Sequence, residues 1–226
     1  MIDSHRNQPG WARQFAIALL LWGVMASAQQ PGPRVIDRAV ASVEGKVITA
    51  SALDFEARVL LVSAGGVEAA FAPLDHQALA ASLETIINQR LAVLEADKLE
   101  TYPLEPGELE RAIAAFRARF GDERRFAAFL ATHEATLDDL GAVLRRGLRA
   151  ERALEGKLRL RAQVTEREAR AHQAETPSLA GVPVEDVRAM LMRQRFSELV
   201  RRELAEQRRQ VDVRLLGPFA PRRESR

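Results

Sequence analysis

Apolar and polar positions along this chain follow two periods. From Asp37 to Thr49 the period is two: Val40 and Ser42 alternate with Ala41 and Val43, then Glu44-Gly45 intervenes, then Lys46-Val47-Ile48-Thr49 reads as a return strand. Gly at the centre of so short a connection supplies the positive φ that a tight hairpin needs. Thr49 is placed to cap a helix that starts near Ala50. Two short strands do not stand alone in water, so this hairpin requires a third strand and a helical layer.

Beyond Thr49 the period becomes helical. Leu53, Ala57, Leu60 and Leu61 mark a first helix over about 50–62, broken by Ser63-Ala64-Gly65-Gly66. Asp75 caps a second helix, in which Leu79, Leu83, Ile86, Ile87, Leu91 and Leu94 recur at intervals of three and four. After Tyr102-Pro103-Leu104-Glu105-Pro106, a third helix carries Leu109, Ile113, Phe116 and Phe120, and Gly121 ends it. Asp122 opens a short helix with Phe126, Phe129 and Leu130. Thr136 starts a long helix to about Arg161, with Leu140, Leu144, Leu148, Leu154 and Leu158 inward. Thr165-Glu166-Arg167-Glu168 has the spacing of a capping box. A loop over 175–183 leads into a helix over about 184–209, and Val211-Asp212-Val213-Arg214-Leu215 alternates as a strand. The fold class expected is therefore mainly α: a helical domain over 35–216 with a small antiparallel sheet, formed by the N-terminal hairpin and the C-terminal strand. Residues 217–226 are expected to be a disordered tail.

The first 28 residues read differently. Arg6 and Arg13 precede an apolar run from Phe15 to Met25, and Ala26-Ser27-Ala28 is a small-x-small cleavage site. These are the parts of a secretory signal peptide, cleaved after Ala28 or kept as an anchor. The run falls short of the roughly 20 residues that span a bilayer. Export places the protein in the periplasm, with 29–34 as a linker.

Charge adds little. Lys and Arg total 33 against 31 Asp and Glu, for a net +2. That balance gives weak support to nucleic-acid binding, which needs a concentrated basic face. Arg145, Arg146, Arg149 and Arg152 on one helix, and Arg201, Arg202, Arg208 and Arg209 on another, read as solvated faces. The functional alternative for them is an anionic lipid surface. Neighbouring acids and arginines are expected to pair along exposed helix faces. The chain has no cysteine, hence no disulfide and no thiol nucleophile. His76, His133 and His172 are scattered near helix ends without ligand spacing, so surface or capping roles are expected. No HExxH, Walker, GxSxG or GxGxxG motif is present. No catalytic, cofactor-binding or metal-ligating residue is therefore assigned, and no cofactor is expected.

Phe116, Phe120, Phe126 and Phe129 are the remaining candidates. Their spacing is that of a buried stripe. The functional alternative is a partly open apolar groove that holds unfolded chain, with Met190 and Met192 as an adaptable lining.

The Asp37–Thr49 stretch resembles the opening hairpin of the SurA-type periplasmic chaperones, where Asp, a basic residue and alternating apolar residues lead through Gly to Ile-Thr. TIINQRLAVLEADKLETYPLEPGELERAIAAF (85–116), QVTEREARAHQAE (163–175) and RFSELVRRELAEQRRQVDVRLL (195–216) are similar to later parts of that family, in the same order. Family members usually carry a parvulin-type prolyl isomerase domain of about a hundred residues. Here only 175–183 stands in its place, so the resemblance implies the chaperone domain without the isomerase. It implies a periplasmic, ATP-independent chaperone that binds unfolded outer-membrane or secreted polypeptides, not an enzyme. The alternatives are a family member with prolyl isomerase activity, or an assembly factor with one dedicated partner.

Overall fold

A computed structural model describes residues 37–99 and 101–221. The expected signal peptide and linker lie outside the described residues. Strands β1 (Ala39–Val43) and β2 (Lys46–Thr49) form the hairpin, and β3 (Val213–Leu215) pairs antiparallel with the other edge of β1. The strand order is β2-β1-β3, so the first strand is central. Between them run seven helices: α1 (Ala50–Ser63), α2 (His76–Lys98), α3 (Glu108–Ala118), α4 (Glu123–Thr132), α5 (Leu137–Leu158), α6 (Glu166–Glu175) and α7 (Val184–Gln210). The mainly helical fold with a sheet built from both ends is thus present. Among the described residues no helix is long and apolar enough to cross a membrane.

The turn between β1 and β2 has Glu44 at φ 49° and Gly45 at φ 74°. Both central residues are left-handed, the arrangement that matches strand twist in a two-residue hairpin. A Glu there is strained, and β3 offsets the cost. The Glu44 backbone N–H donates to the Asp212 carbonyl at 2.9 Å. The Glu44 carboxylate accepts from the Asp212 N–H at 3.0 Å. The turn therefore fixes the position of the returning C-terminal strand.

Local signals set the helix starts. Thr49, Asp75, Asp122, Thr136 and Thr165 all accept from a backbone N–H of the first turn with their side chains. Thr136 with Asp139 and Thr165 with Glu168 form complete capping boxes. Asp37 joins the start of the sheet to the start of α1: its carboxylate accepts from the Ser51 hydroxyl and from the Ser51 N–H. Hydrogen bonds from the hydroxyls of Ser51 and Thr49 hold that carboxyl below its ordinary value.

Two apolar clusters fill the interior. Val40, Val43 and Ile48 of the sheet pack on Leu53, Leu83, Ile87 and Leu91 of α1 and α2. Phe55, Val59 and Val62 of α1 pack with phenylalanines of α3 and α4 and with Leu140 of α5. α1 thus serves both clusters and is buried on more of its circumference than the stripe Leu53-Ala57-Leu60-Leu61 implied. Leu60 and Leu61 are only half-buried, while Phe55 and Val59 are buried.

Two expectations are corrected here. The chain does not become a disordered tail at 217. Gly217–Phe219 is a 3-10 turn, and the Phe219 ring stacks on His76 at 5.0 Å. His133 holds the C-cap position of α4, the helix-end role expected, but its side chain is not at the surface. Its ring packs beside the stacked Phe55 and Phe129, with Nε2 2.9 Å from the Ala70 carbonyl and Nδ1 3.5 Å from Asp54.

Candidate binding cleft

α7 is the element that makes a site. Of its 27 residues only Val187 is buried. In its N-terminal half, Arg188 Nε donates to the Val164 carbonyl at 2.8 Å, and Arg195 pairs with Glu168 of α6 at 3.0 Å. Toward its C-terminal end Lys157 of α5 bonds Glu95 of α2 at 2.6 Å and Glu203 of α7 at 2.7 Å. Gln207 adds a hydrogen bond to each of the same two carboxylates. Burial works against the Lys157 charge, but the hydrogen bonds it donates to Glu203 and Glu95 outweigh that and raise the ammonium above its ordinary value. α7 is therefore anchored at both ends, and its middle turns face the other helices across an open space.

That space is a cleft of about 510 Å³. α5 supplies Leu144, Gly147, Leu148, Glu151, Leu154 and Glu155, the stripe a helix presents at steps of three and four. α1 adds Val59, Leu60 and Ser63; α2 adds Thr85, Asn88 and Gln89; α3 adds Ala112. Phe196 and Val200 of α7, one turn apart, form the facing wall. Leu144, Leu148 and Leu154, expected to be inward with Leu140 and Leu158, are instead half-buried and line this opening. The Gln89 Oε1 is buried with no hydrogen-bond partner among the described residues. The lining is mixed: leucines and Phe196 supply apolar wall, and Asn88, Gln89 and Thr85 add polar groups, the combination by which pockets hold and orient a ligand.

The residues singled out by sequence are placed elsewhere. Phe116, Phe120, Phe126 and Phe129 are 2%, 1%, 3% and 0% exposed. Their rings pack on one another at 5.3 to 6.5 Å in tilted and edge-on geometry. They are interior, and an open phenylalanine groove is excluded for them. The stripe supplied by α3 meets that of α4 face to face, which leaves neither exposed. Met190 and Met192 are half-buried on α7, and neither lines the cleft. The facing wall on α7 also left a signal in the sequence. Phe196 and Val200 are an apolar pair, four apart, in a helix otherwise rich in Arg and Glu.

Nor are the charges simply a solvated face. Glu56 of α1 is 6% exposed. Its Oε1 lies 3.3 Å from Arg90 of α2 and its Oε2 2.5 Å from Arg146 of α5. Arg149 pairs with Asp97 at 2.7 Å and Arg152 with Glu108 at 2.7 Å. This side of α5 is a seam of ion pairs between helices. Desolvation, opposed by Glu56 and assisted by Arg90, holds the Arg146 guanidinium below its ordinary value.

Between α6 and α7 the chain makes a short 3-10 turn at Pro177–Leu179. The Gln173 side-chain amide donates to the carbonyls of Leu179 at 3.1 Å and Val182 at 2.6 Å, folding the connection back onto α6. No protein-family model matches this chain, and no curated protein is significantly similar to it. Among the described residues no group of His, Asp and Glu is arranged to hold a metal ion.

Proposed function

We propose that this protein is an exported, ATP-independent holding chaperone, and that the cleft between α5 and α7 takes apolar segments of unfolded outer-membrane or secreted polypeptides. The observation that carries the reading is the cleft itself. It has leucine and phenylalanine walls and a volume of about 510 Å³, in the range of pockets that enclose ligands, roughly 300–1,000 Å³. An extended segment would place apolar side chains against Leu144, Leu148 and Phe196. Glu151 and Glu155 at the margin stay in water. The ordered resemblance to SurA-type chaperones and the signal-like N-terminus support the compartment and the class of client.

Such binding needs no nucleotide. It lowers the concentration of free unfolded chain by mass action and so slows aggregation. The mechanism proposed is holding; the connection between α6 and α7, where SurA-type chaperones usually carry an isomerase, is the turn braced by Gln173.

The test is light scattering of a urea-unfolded outer-membrane β-barrel protein diluted into buffer. It is run with and without the chain from Gln29 onward, which retains every described residue. Suppression near equimolar ratio is expected, and its loss in Phe196→Asp, verified as folded by circular dichroism, would place the client in the cleft. Undiminished aggregation in the presence of folded protein sinks the general chaperone reading and leaves a dedicated partner.

A further inference from the structure

A second cavity, of about 210 Å³, lies where the hairpin meets α2 and α5. Val43, Val93 and Leu94 form apolar wall, and Lys46, Arg90 and Arg146 supply three cations. Its charges do not balance. Glu56, which does not line the cavity, is the counter-ion of Arg90 and Arg146 together, so one carboxylate serves two guanidiniums. Asp97, the carboxylate that does line it, is engaged by Arg149 at 2.7 Å. Lys46 has no ion-pair partner among the described residues, and its side chain stands at the exposed start of β2. The Nε groups of Arg90 and Arg146 are buried and have no hydrogen-bond partner among the described residues. Four cations therefore face two carboxylates in a partly desolvated place, where excess charge is costly.

Guanidinium groups offer forked donors that match the oxygens of carboxylate and phosphate, and a nearby ammonium adds a point charge. We propose that Lys46, Arg90 and Arg146 form a binding site for an oxyanion, the phosphate or carboxylate group of a small ligand. Glu56 keeps the two guanidiniums in position from outside the cavity. Val43, Val93 and Leu94 leave room for a short hydrocarbon substituent. The site shares no residue with the cleft and does not depend on the chaperone reading.

The test is isothermal calorimetry on the chain from Gln29 onward, with inorganic phosphate and with acetate as probes, at ionic strength held constant with chloride. Saturable binding of at least one anion is expected, weakened about tenfold or more in Lys46→Met, a change of about 1.4 kcal/mol or more. Because Lys46 is exposed on an edge strand, that variant folds, and circular dichroism checks it. Binding of phosphate alone assigns the site to a phosphate group, and binding of acetate alone to a carboxylate. Absence of saturable binding by either, or binding undiminished in Lys46→Met, overturns the proposal.

Discussion

The Arg146 guanidinium of α5 meets the Glu56 carboxylate of α1 at 2.5 Å, on the opposite oxygen from Arg90 of α2. Three helices are thus joined through one buried acid. Breaking such a group by removing one member leaves uncompensated charge, at a cost of about 3–5 kcal/mol. Glu56→Ala is expected to lower stability by that order in urea unfolding. Replacing all three residues together with apolar side chains is expected to be far milder, because no charge is then left buried. Equal losses in the single and triple variants would show that the charges are not what matters there.

Phe129 and Phe196 separate packing from binding. Phe129 is inaccessible and touches Phe55, Phe116, Phe120 and His133. Phe129→Ala is expected to cost about 3–5 kcal/mol, as for other buried aromatic truncations. Phe196 is half-buried at the cleft wall, so Phe196→Ala is expected to cost less than half of that and to weaken client binding instead. The paired measurement is urea midpoint and aggregation suppression per folded molecule. A client defect that follows stability in both variants would remove the cleft from the mechanism.

Acid should loosen α6 first. The Glu168 carboxylate accepts from the Thr165 N–H, the Thr165 hydroxyl and Arg195, in that order of effect, which lowers its pKa from 4.5 to about 2. A carboxyl whose folded value lies below its unfolded one stabilises the fold above the unfolded value, and that contribution is lost as pH falls from about 4.5 toward 2. Hydrogen exchange in α6 is expected to accelerate through that window in the wild type and to be nearly flat in Glu168→Gln. Carbon NMR titration of Glu168 reads the same shift directly, and an ordinary midpoint near 4.5 would contradict the capping geometry.

Gly156 sits inside α5, where alanine is ordinarily favoured by about 1 kcal/mol. A Cβ at that position would overlap the ring of Tyr102, which is itself held at φ 57°. Gly156→Ala is therefore expected to destabilise, since overpacking costs about 1–3 kcal/mol. In a Tyr102→Leu background the same change should become neutral or stabilising. A double-mutant cycle in thermal unfolding measures the coupling.

Much of this architecture is a local matter, and for that reason the sequence alone carries it. A capping hydroxyl or carboxylate acts within three residues, so Thr49, Asp75, Asp122, Thr136 and Thr165 announce their helices without help from the rest of the chain. The period-two runs around Glu44-Gly45 and Val213 likewise disclose three strands, and their need for partners brings the two ends together. What a helix buries is decided at longer range. The phenylalanines of α3 and α4 have the periodicity either of a core or of a groove, and only their meeting with α1 and α5 closes them off. Leu144 and Leu148 have the same periodicity as Leu140, yet they line an opening because α7 is anchored at its two ends and stands away between them. Glu56, one acid among many in the sequence, becomes the centre of an ion group only because α2 and α5 bring Arg90 and Arg146 to it. Periodicity specifies which residues share a face; the tertiary structure alone decides what that face meets.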